Sequence, residues 1–175
     1  MFLSPYQILK ELPLPAQNVR VGDFGAGSGQ FSLALAERLG QSATIYALDA
    51  FGPGLDAMKR EAERYGSDFY TLQSDLNTHI PLRSNLLNAA IVADTLYGIA
   101  DKERFVHELA RVLEEGGKVL VVDWAGSFKN MGPPQDAILS PGEAAQLFTS
   151  AGFSVGEMLP AGTHHFAFTA TCQTP

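Results

Sequence analysis

The sequence predicts an α/β fold: a doubly wound, mostly parallel sheet with helices on both faces and one reversed strand near an edge. Three observations carry this reading. Short β-rich runs alternate with segments whose apolar residues recur every three or four positions. The runs are apolar nearly throughout rather than at every second position, as strands buried on both faces require. The last two runs break the alternation, because only a five-residue stretch containing the Pro160-Ala161-Gly162 turn separates them. That is too short for a parallel crossover, so one of the two must run backwards.

Each element follows from local chemistry. Ser4-Pro5-Tyr6-Gln7 offers a capping serine, proline at the first helical position and glutamine at the third; Ile8, Leu9 and Leu12 share a face and Pro13 stops the segment. A short helix over 4–12 is expected. Asn18 to Phe24 is the first strand, and Phe31, Ala34, Leu35 and Leu39 then recur at helical spacing up to Gly40. Thr44 to Leu48 is the second strand, followed by a helix presenting Leu55, Met58, Ala62 and Tyr65 and ending at Gly66. Phe69 to Gln73 is the third strand and Ala89 to Ala93 the fourth. Asp101 opens a helix carrying Phe105, Leu109 and Val112 toward Gly116-Gly117, and Lys118 to Asp123 is the plainest buried strand in the chain. Ser140-Pro141-Gly142-Glu143 has the form of a capping box ahead of Ala144, Leu147, Phe148 and Ala151, with Gly152 as the stop. Phe153 to Leu159 and His165 to Cys172 complete the sheet.

Length and charge narrow the function classes. The 175 residues suit a single domain over 1–175, for which folding buries about 70% of the extended chain's surface. With 46% hydrophobic residues the chain is too apolar for disorder, and charges interrupt it too often for a membrane span. Twelve Lys and Arg against 19 Asp and Glu give a net charge of −7, which argues against a nucleic-acid coat. The single Cys172 excludes a disulfide framework within one chain, and Met1 to Pro5 lacks the charged and apolar regions of a signal peptide, so a cytoplasmic setting is expected.

The 17 glycines are informative by placement. Gly22-Asp23-Phe24-Gly25-Ala26-Gly27-Ser28-Gly29 lies between the first strand and the next helix. Glycines at alternate positions let the backbone turn tightly and lie against a ligand at a helix N-terminus; a turn built only for tight packing is the other reading. The spacing does not suit G-x-G-x-x-G, since the third glycine would fall on Gln30 or Ser32, and this disfavours a nucleotide-linked oxidoreductase. Asp49 ends the second strand 20 residues after Gly29, where a carboxylate accepts both hydroxyls of a ribose. Asp75, in Ser74-Asp75-Leu76 after the third strand, is placed to read an exocyclic amine or to cap a turn.

Together, Asp-x-Gly-x-Gly-x-Gly at 23–29, the acidic strand end at Asp49, Ser74-Asp75-Leu76, and Arg111 to Leu120 around Gly116-Gly117 resemble the class I S-adenosylmethionine-dependent methyltransferases. The nearest branch looks like type 11, which includes ubiquinone and menaquinone biosynthesis enzymes. The resemblance covers essentially the whole chain. It implies a Rossmann-like seven-stranded sheet in the order 3-2-1-4-5-7-6 with strand 7 antiparallel. It implies that Gly25, Ala26, Gly27 and Gly29 hold the methionine end of S-adenosylmethionine, with Asp23 supporting its ammonium. Asp49 and Ala50 would then meet the ribose, Phe51 and Leu76 would flank the adenine beside Ser74, and Asp75 would bind its amino group. Asp94 would lie near the sulfonium.

Methyl transfer needs alignment, water exclusion and sometimes a base, but no nucleophilic residue. Candidates for the acceptor side are Asp94, Thr95 and Tyr97 after the fourth strand, Asp123 and Trp124 after the fifth, and His164 and His165 at the start of the reversed strand. Asp94, Asp123, His164 and His165 are the candidate bases, although Asp123 would equally cap a turn and the histidines would equally be rim residues. Tyr97, Trp124, Met131 and His165 are candidates for an apolar substrate pocket, with Trp124, Phe128 and Met131 also readable as packing under the Gly132-Pro133-Pro134 turn. His79 and Cys172 lack partners at metal-ligand spacing, so no metal is expected. Two departures from the family stand out: Tyr97-Gly98-Ile99 occupies the place where quinone-biosynthesis relatives often carry a His, and the segment ahead of the first strand is short. The expectation is transfer to a small apolar or aromatic acceptor, with a homodimer or a partner supplying a lid. The alternative is a catalytically idle module that binds S-adenosylmethionine or S-adenosylhomocysteine beside a partner subunit.

Overall fold

The computed structural model describes residues 3–128 and 132–173. In chain order the elements are α1 (Pro5–Ile8), β1 (Val19–Phe24), α2 (Gln30–Leu39), β2 (Ala43–Asp49), α3 (Gly52–Ala62), β3 (Asp68–Gln73) and β4 (Leu87–Ala93). Then come α4 (Lys102–Val112), β5 (Leu113–Trp124), α5 (Pro141–Ser150), β6 (Phe153–Leu159) and β7 (His165–Cys172). The strands form one sheet in the order β3-β2-β1-β4-β5-β7-β6. β1 to β5 pair in parallel, and β7 runs antiparallel to both β5 and β6. The expected architecture, including the reversed strand, is the observed one.

The apolar runs are continuous because successive side chains enter two different cores. Val19 and Val21, Ala89 and Ile91, and Leu120 and Val122 pack with Phe31, Ala34 and Leu35 of α2 and with Ile8, Leu9 and Leu12. Their strand neighbours Phe24, Ala90, Val92, Val119 and Val121 pack instead with Phe105 and Leu109 of α4 and Phe148 of α5. Period-two alternation thus sends apolar residues to both faces of a sheet covered on both sides.

Local signals hold with three exceptions. The capping box at Ser140 forms in full, with Ser140 Oγ accepting from the Glu143 N–H and Glu143 returning to the Ser140 N–H. Asp101 likewise accepts from the Arg104 N–H. At the N-terminus, however, the expected helix is one α turn followed by a 3-10 turn over Leu9–Glu11, and the Ser4 side chain caps nothing. So short a segment has little helical cooperativity and is held by burying Ile8, Leu9 and Leu12. The second exception is the end of α4 at Val112 rather than at the glycines. Leu113 already pairs with Leu87, and the ladder resumes at Lys118 opposite Ala89, so Glu114 to Gly117 loop out between two ladder contacts.

The third is the crossover from β3 to β4, residues 74–86, which contains no helix. Its carbonyls are satisfied from α4 instead: Arg104 donates to the carbonyls of Leu76 and Thr78, and Arg111 to those of Ile80 and Leu82. Glu108 orients Arg111 through two charge-assisted bonds at 2.7 and 2.8 Å.

Candidate functional site

All the parallel strands point their carboxyl ends at the same edge of the sheet, and the loops leaving β1, β2, β3 and β4 enclose a cavity of about 430 Å3 there. Gly25, Gly27 and Gly29 have φ of 80°, 55° and 86°, the left-handed region that glycine enters without strain. They serve different ends. A Cβ on Gly25 would lie 2.4 Å from Thr95 Oγ1 and one on Gly29 would lie 2.7 Å from the Met58 side chain, so both let neighbours close in. A Cβ on Gly27 would meet only the Gly25 carbonyl at 3.9 Å, which leaves the cavity side of the loop open to a ligand.

Asp49 fastens this loop. Its Oδ2 accepts the Gly27 N–H and its Oδ1 the Phe51 N–H, each at 2.8 Å. A carboxylate has about four acceptor sites, so both oxygens retain capacity for a pair of hydroxyls. Asp23 sits behind the loop, 2% exposed, where its Oδ2 accepts from Ser32 Oγ at 2.6 Å. Burial pushes its carboxyl up to about 6, against the opposing effect of the Ser32 hydroxyl. Asp75 Oδ1 accepts the Asn77 N–H, an Asx turn, while the side chain remains exposed on the cavity wall. Its two sequence readings, turn residue and ligand contact, are therefore compatible.

Of the residues expected around the cofactor, Asp23, Gly25, Ala26, Gly27, Asp49, Ala50, Ser74, Asp75, Leu76 and Asp94 line the cavity. Gly29 and Phe51 do not; Gly29 is buried against Met58 and Phe51 is 64% exposed. On the acceptor side, Asp94, Thr95 and Tyr97 line the cavity, whereas Asp123, Trp124, His164 and His165 stand outside its wall. Met131 lies outside the described residues. Sequence reasoning did not single out Asn77 and Ile99, which also line the cavity. The signal for Asn77 was its place in Asp75-Leu76-Asn77: its Oδ1 accepts the Ala100 N–H, tying the loop after β3 to the loop after β4.

Behind the β4 end lies a second polar layer. Asp94 holds φ at 51°, uncommon for a residue with a side chain, and its N–H donates to the Val122 carbonyl. Asp123 is buried; its oxygens accept the Leu96 and Trp124 N–H groups, and burial nevertheless pushes its carboxyl up to about 6. The Tyr97 hydroxyl is also raised, first by burial and then by the Asp94 and Asp123 charges. Thr95, buried, sets Oγ1 within hydrogen-bond distance of the Phe24 and Ala93 carbonyls and so joins β1 to β4 rather than facing the cavity with its hydroxyl. The His164 ring meets Phe128 edge to face. His165 packs on Trp124 with ring centroids 4.5 Å apart and brings Nε2 to 3.2 Å from Asp94 Oδ1.

The donor set suits S-adenosylmethionine: an open glycine cradle, a carboxylate with spare acceptor capacity at the β2 end and another at the β3 end share one cavity. No helix among the described residues is long and apolar enough to cross a membrane.

Comparison with known proteins agrees. A 2-phytyl-1,4-naphtoquinone methyltransferase from Trichormus variabilis is 27% identical over 127 residues, covering 70% of this chain and 56% of the relative. A demethylmenaquinone methyltransferase from Thermus thermophilus is 30% identical over 114 residues, covering 65% of this chain and 51% of the relative. The chain thus spans about half the length of these curated relatives. The crystal structure of a SAM-dependent methyltransferase from Aquifex aeolicus superposes with a TM-score of 0.86 at 26% identity, covering 98% of this chain and 90% of that one. The family profile described as a methyltransferase domain matches residues 22–121, from the glycine loop through the middle of β5. The chain belongs to that family, the type 11 branch of the class I S-adenosylmethionine-dependent methyltransferases.

Proposed function

We propose that this protein transfers a methyl group from S-adenosylmethionine to a small aromatic acceptor of the quinol type. The observation that carries the reading is the convergence of the glycine loop, Asp49 and Asp75 on one cavity whose remaining wall is formed by Asp94, Tyr97 and Ile99. The cofactor supplies a methyl group already activated on a sulfonium. The chain's residues bind and align: the loop at Gly25 to Gly29 takes the methionine end, with Asp23 behind it. Asp49 takes the ribose hydroxyls, and Leu76 with Asp75 takes the adenine, over which the exposed Phe51 closes. Asp94 and Tyr97 then border the space left for the acceptor.

The quinone-type acceptor is suggested by the relatives' names and refined by chemistry. An electrophilic methyl needs an electron-rich carbon, and a quinone ring is electron-poor, so the reduced form is the competent acceptor. Isothermal titration with S-adenosylmethionine and S-adenosylhomocysteine, followed by transfer of labelled methyl to reduced 1,4-naphthoquinone, tests the reading. Absence of binding at millimolar cofactor would end it.

A second reading is a catalytically idle binding module that acts beside a partner subunit, favoured by the position of Asp123, His164 and His165 outside the cavity wall. Cofactor binding without turnover, restored by a co-purified subunit, distinguishes it. A homodimer or partner that lids the cavity is part of either reading and is tested by the solution mass with cofactor bound.

A further inference from the structure

We propose that Asp94 is the base that accepts the acceptor's hydroxyl proton, and that His165 is a positioning residue that holds its carboxylate from behind; this rests on the methyl-transfer reading above. After β4 this chain carries Tyr97-Gly98-Ile99, with no histidine beside Asp94 on that loop. The imidazole instead comes from the opposite end of the chain. β7 begins at His165, in register with Trp124 of β5, and because β7 is reversed its first residue lies at the carboxyl edge of the parallel strands. From there the His165 side chain, 8% exposed, reaches across the β5 end to Asp94, 44% exposed and lining the cavity.

Three further features fit a working pair better than a tie between strands. Asp94 is held at φ 51°, a conformation that costs free energy with a side chain present and that aims the residue after β4. Both ring nitrogens of His165 are buried without a well-aligned hydrogen bond, which a purely structural histidine would ordinarily have. The Trp124 ring against His165 and the Asp123 carboxylate on the Leu96 N–H fix the two sides of the pair. Charged and titratable neighbours are Asp123 and Tyr97; the Asp123 carboxylate also interacts with His165 through space, while its oxygens are engaged by the Leu96 and Trp124 N–H groups.

The step balances as follows. The quinol O–H bond breaks and its proton passes to Asp94 Oδ. The ring carbon ortho to the resulting oxyanion forms a bond to the methyl carbon, and the methyl–sulfur pair stays on sulfur. The proton on that ring carbon then leaves to solvent while the oxygen recovers the proton held by Asp94, so one proton is released per methyl transferred.

The test uses two variants suited to the backbone. Asp94→Asn keeps the shape, and Asp94→Gly is at ease at positive φ and leaves a carboxylate-sized gap. Calorimetry with S-adenosylhomocysteine should give the same affinity for His165→Gln and for the parent protein, and measurable binding in both Asp94 variants. The pH profile of kcat for reduced 1,4-naphthoquinone should carry an acid limb in the parent, lose it in Asp94→Asn and show it displaced in His165→Gln. Turnover of reduced 1,4-naphthoquinone should fall about 10²- to 10⁴-fold in Asp94→Asn and return when formate is added to Asp94→Gly. Formate should not restore His165→Gln. An acid limb that persists in Asp94→Asn, an unchanged profile in His165→Gln, or formate that leaves Asp94→Gly idle would each overturn the assignment. Failure of the parent to bind any cofactor would bring down the methyl-transfer reading itself, a separate result.

Discussion

Asp23 illustrates how a residue behind the proposed cofactor loop costs the fold. It is fully enclosed, and burial raises its carboxyl to about 6, above the ordinary 3.8. Below about pH 4 the group is protonated folded or unfolded and costs nothing. As pH rises past that point the unfolded chain ionises first, so the native state binds more protons and stability falls until the folded group also ionises near 6. A shift of about two units corresponds to about 3 kcal/mol at neutral pH. Asp23→Asn keeps an acceptor for Ser32 and removes the buried charge. We expect it to raise the unfolding free energy in urea at about pH 7.5 by up to about 3 kcal/mol, to leave it unchanged near pH 4, and to weaken cofactor binding. A variant equally destabilised at both pH values would show that Asp23 acts by shape alone. The sequence marked Asp23 through its place in the glycine motif, but its bond to Ser32 and its isolation from water are properties of the packed helix α2 and were not legible.

Among the elements, those written in local chemistry were the readable ones. Strands with two apolar faces, the Ser140 capping box, and glycine stops at Gly40, Gly66 and Gly152 depend on residues within a few positions of one another, and each formed where expected. The misreadings concern long-range payment of hydrogen bonds. Nothing in the spacing of Arg104 and Arg111 announces that they donate to four carbonyls of the crossover between β3 and β4. This makes a firm prediction. Arg111→Met keeps the helix and most of the apolar stem while leaving the Leu82 carbonyl without its donor, the Ile80 carbonyl with the Leu82 N–H alone, and Glu108 without the partner that holds its carboxyl below its usual range. The expected loss is about 1–3 kcal/mol in urea unfolding at neutral pH. The loss should shrink as acid protonates Glu108, because the stabilisation of a carboxyl with a depressed native value disappears as pH falls through that value. An Arg111→Met protein as stable as the parent would mean that water serves these carbonyls equally well.

At the scale of the whole molecule, the cavity is assembled from loops far apart in sequence, and so the pairing of Asp94 with His165, 71 positions later, was invisible in the chain, whereas the glycine loop and Asp49 were legible because the strand–helix rhythm places both at strand ends. The same assembly links binding to global stability. The loops after β1, β2, β3 and β4 come together only in the folded sheet, so the cofactor has no site on the unfolded chain and stabilises the protein by mass action. At a concentration 100 times the dissociation constant that amounts to about 2.7 kcal/mol. For a chain of this size each kcal/mol moves the midpoint by about 2–4 °C, so S-adenosylhomocysteine should raise Tm by about 5–11 °C, increasing with the logarithm of its concentration. Asp49 is the control, because it fastens the loop through the Gly27 and Phe51 N–H groups and is the residue proposed to take the ribose. Asp49→Ala should weaken binding by about 1.5–3 kcal/mol and remove most of the thermal shift at the same ligand concentration. If Asp49→Ala keeps the full shift, the ribose is not held at the β2 end. If the parent shows no shift at all, the four loops do not share a ligand.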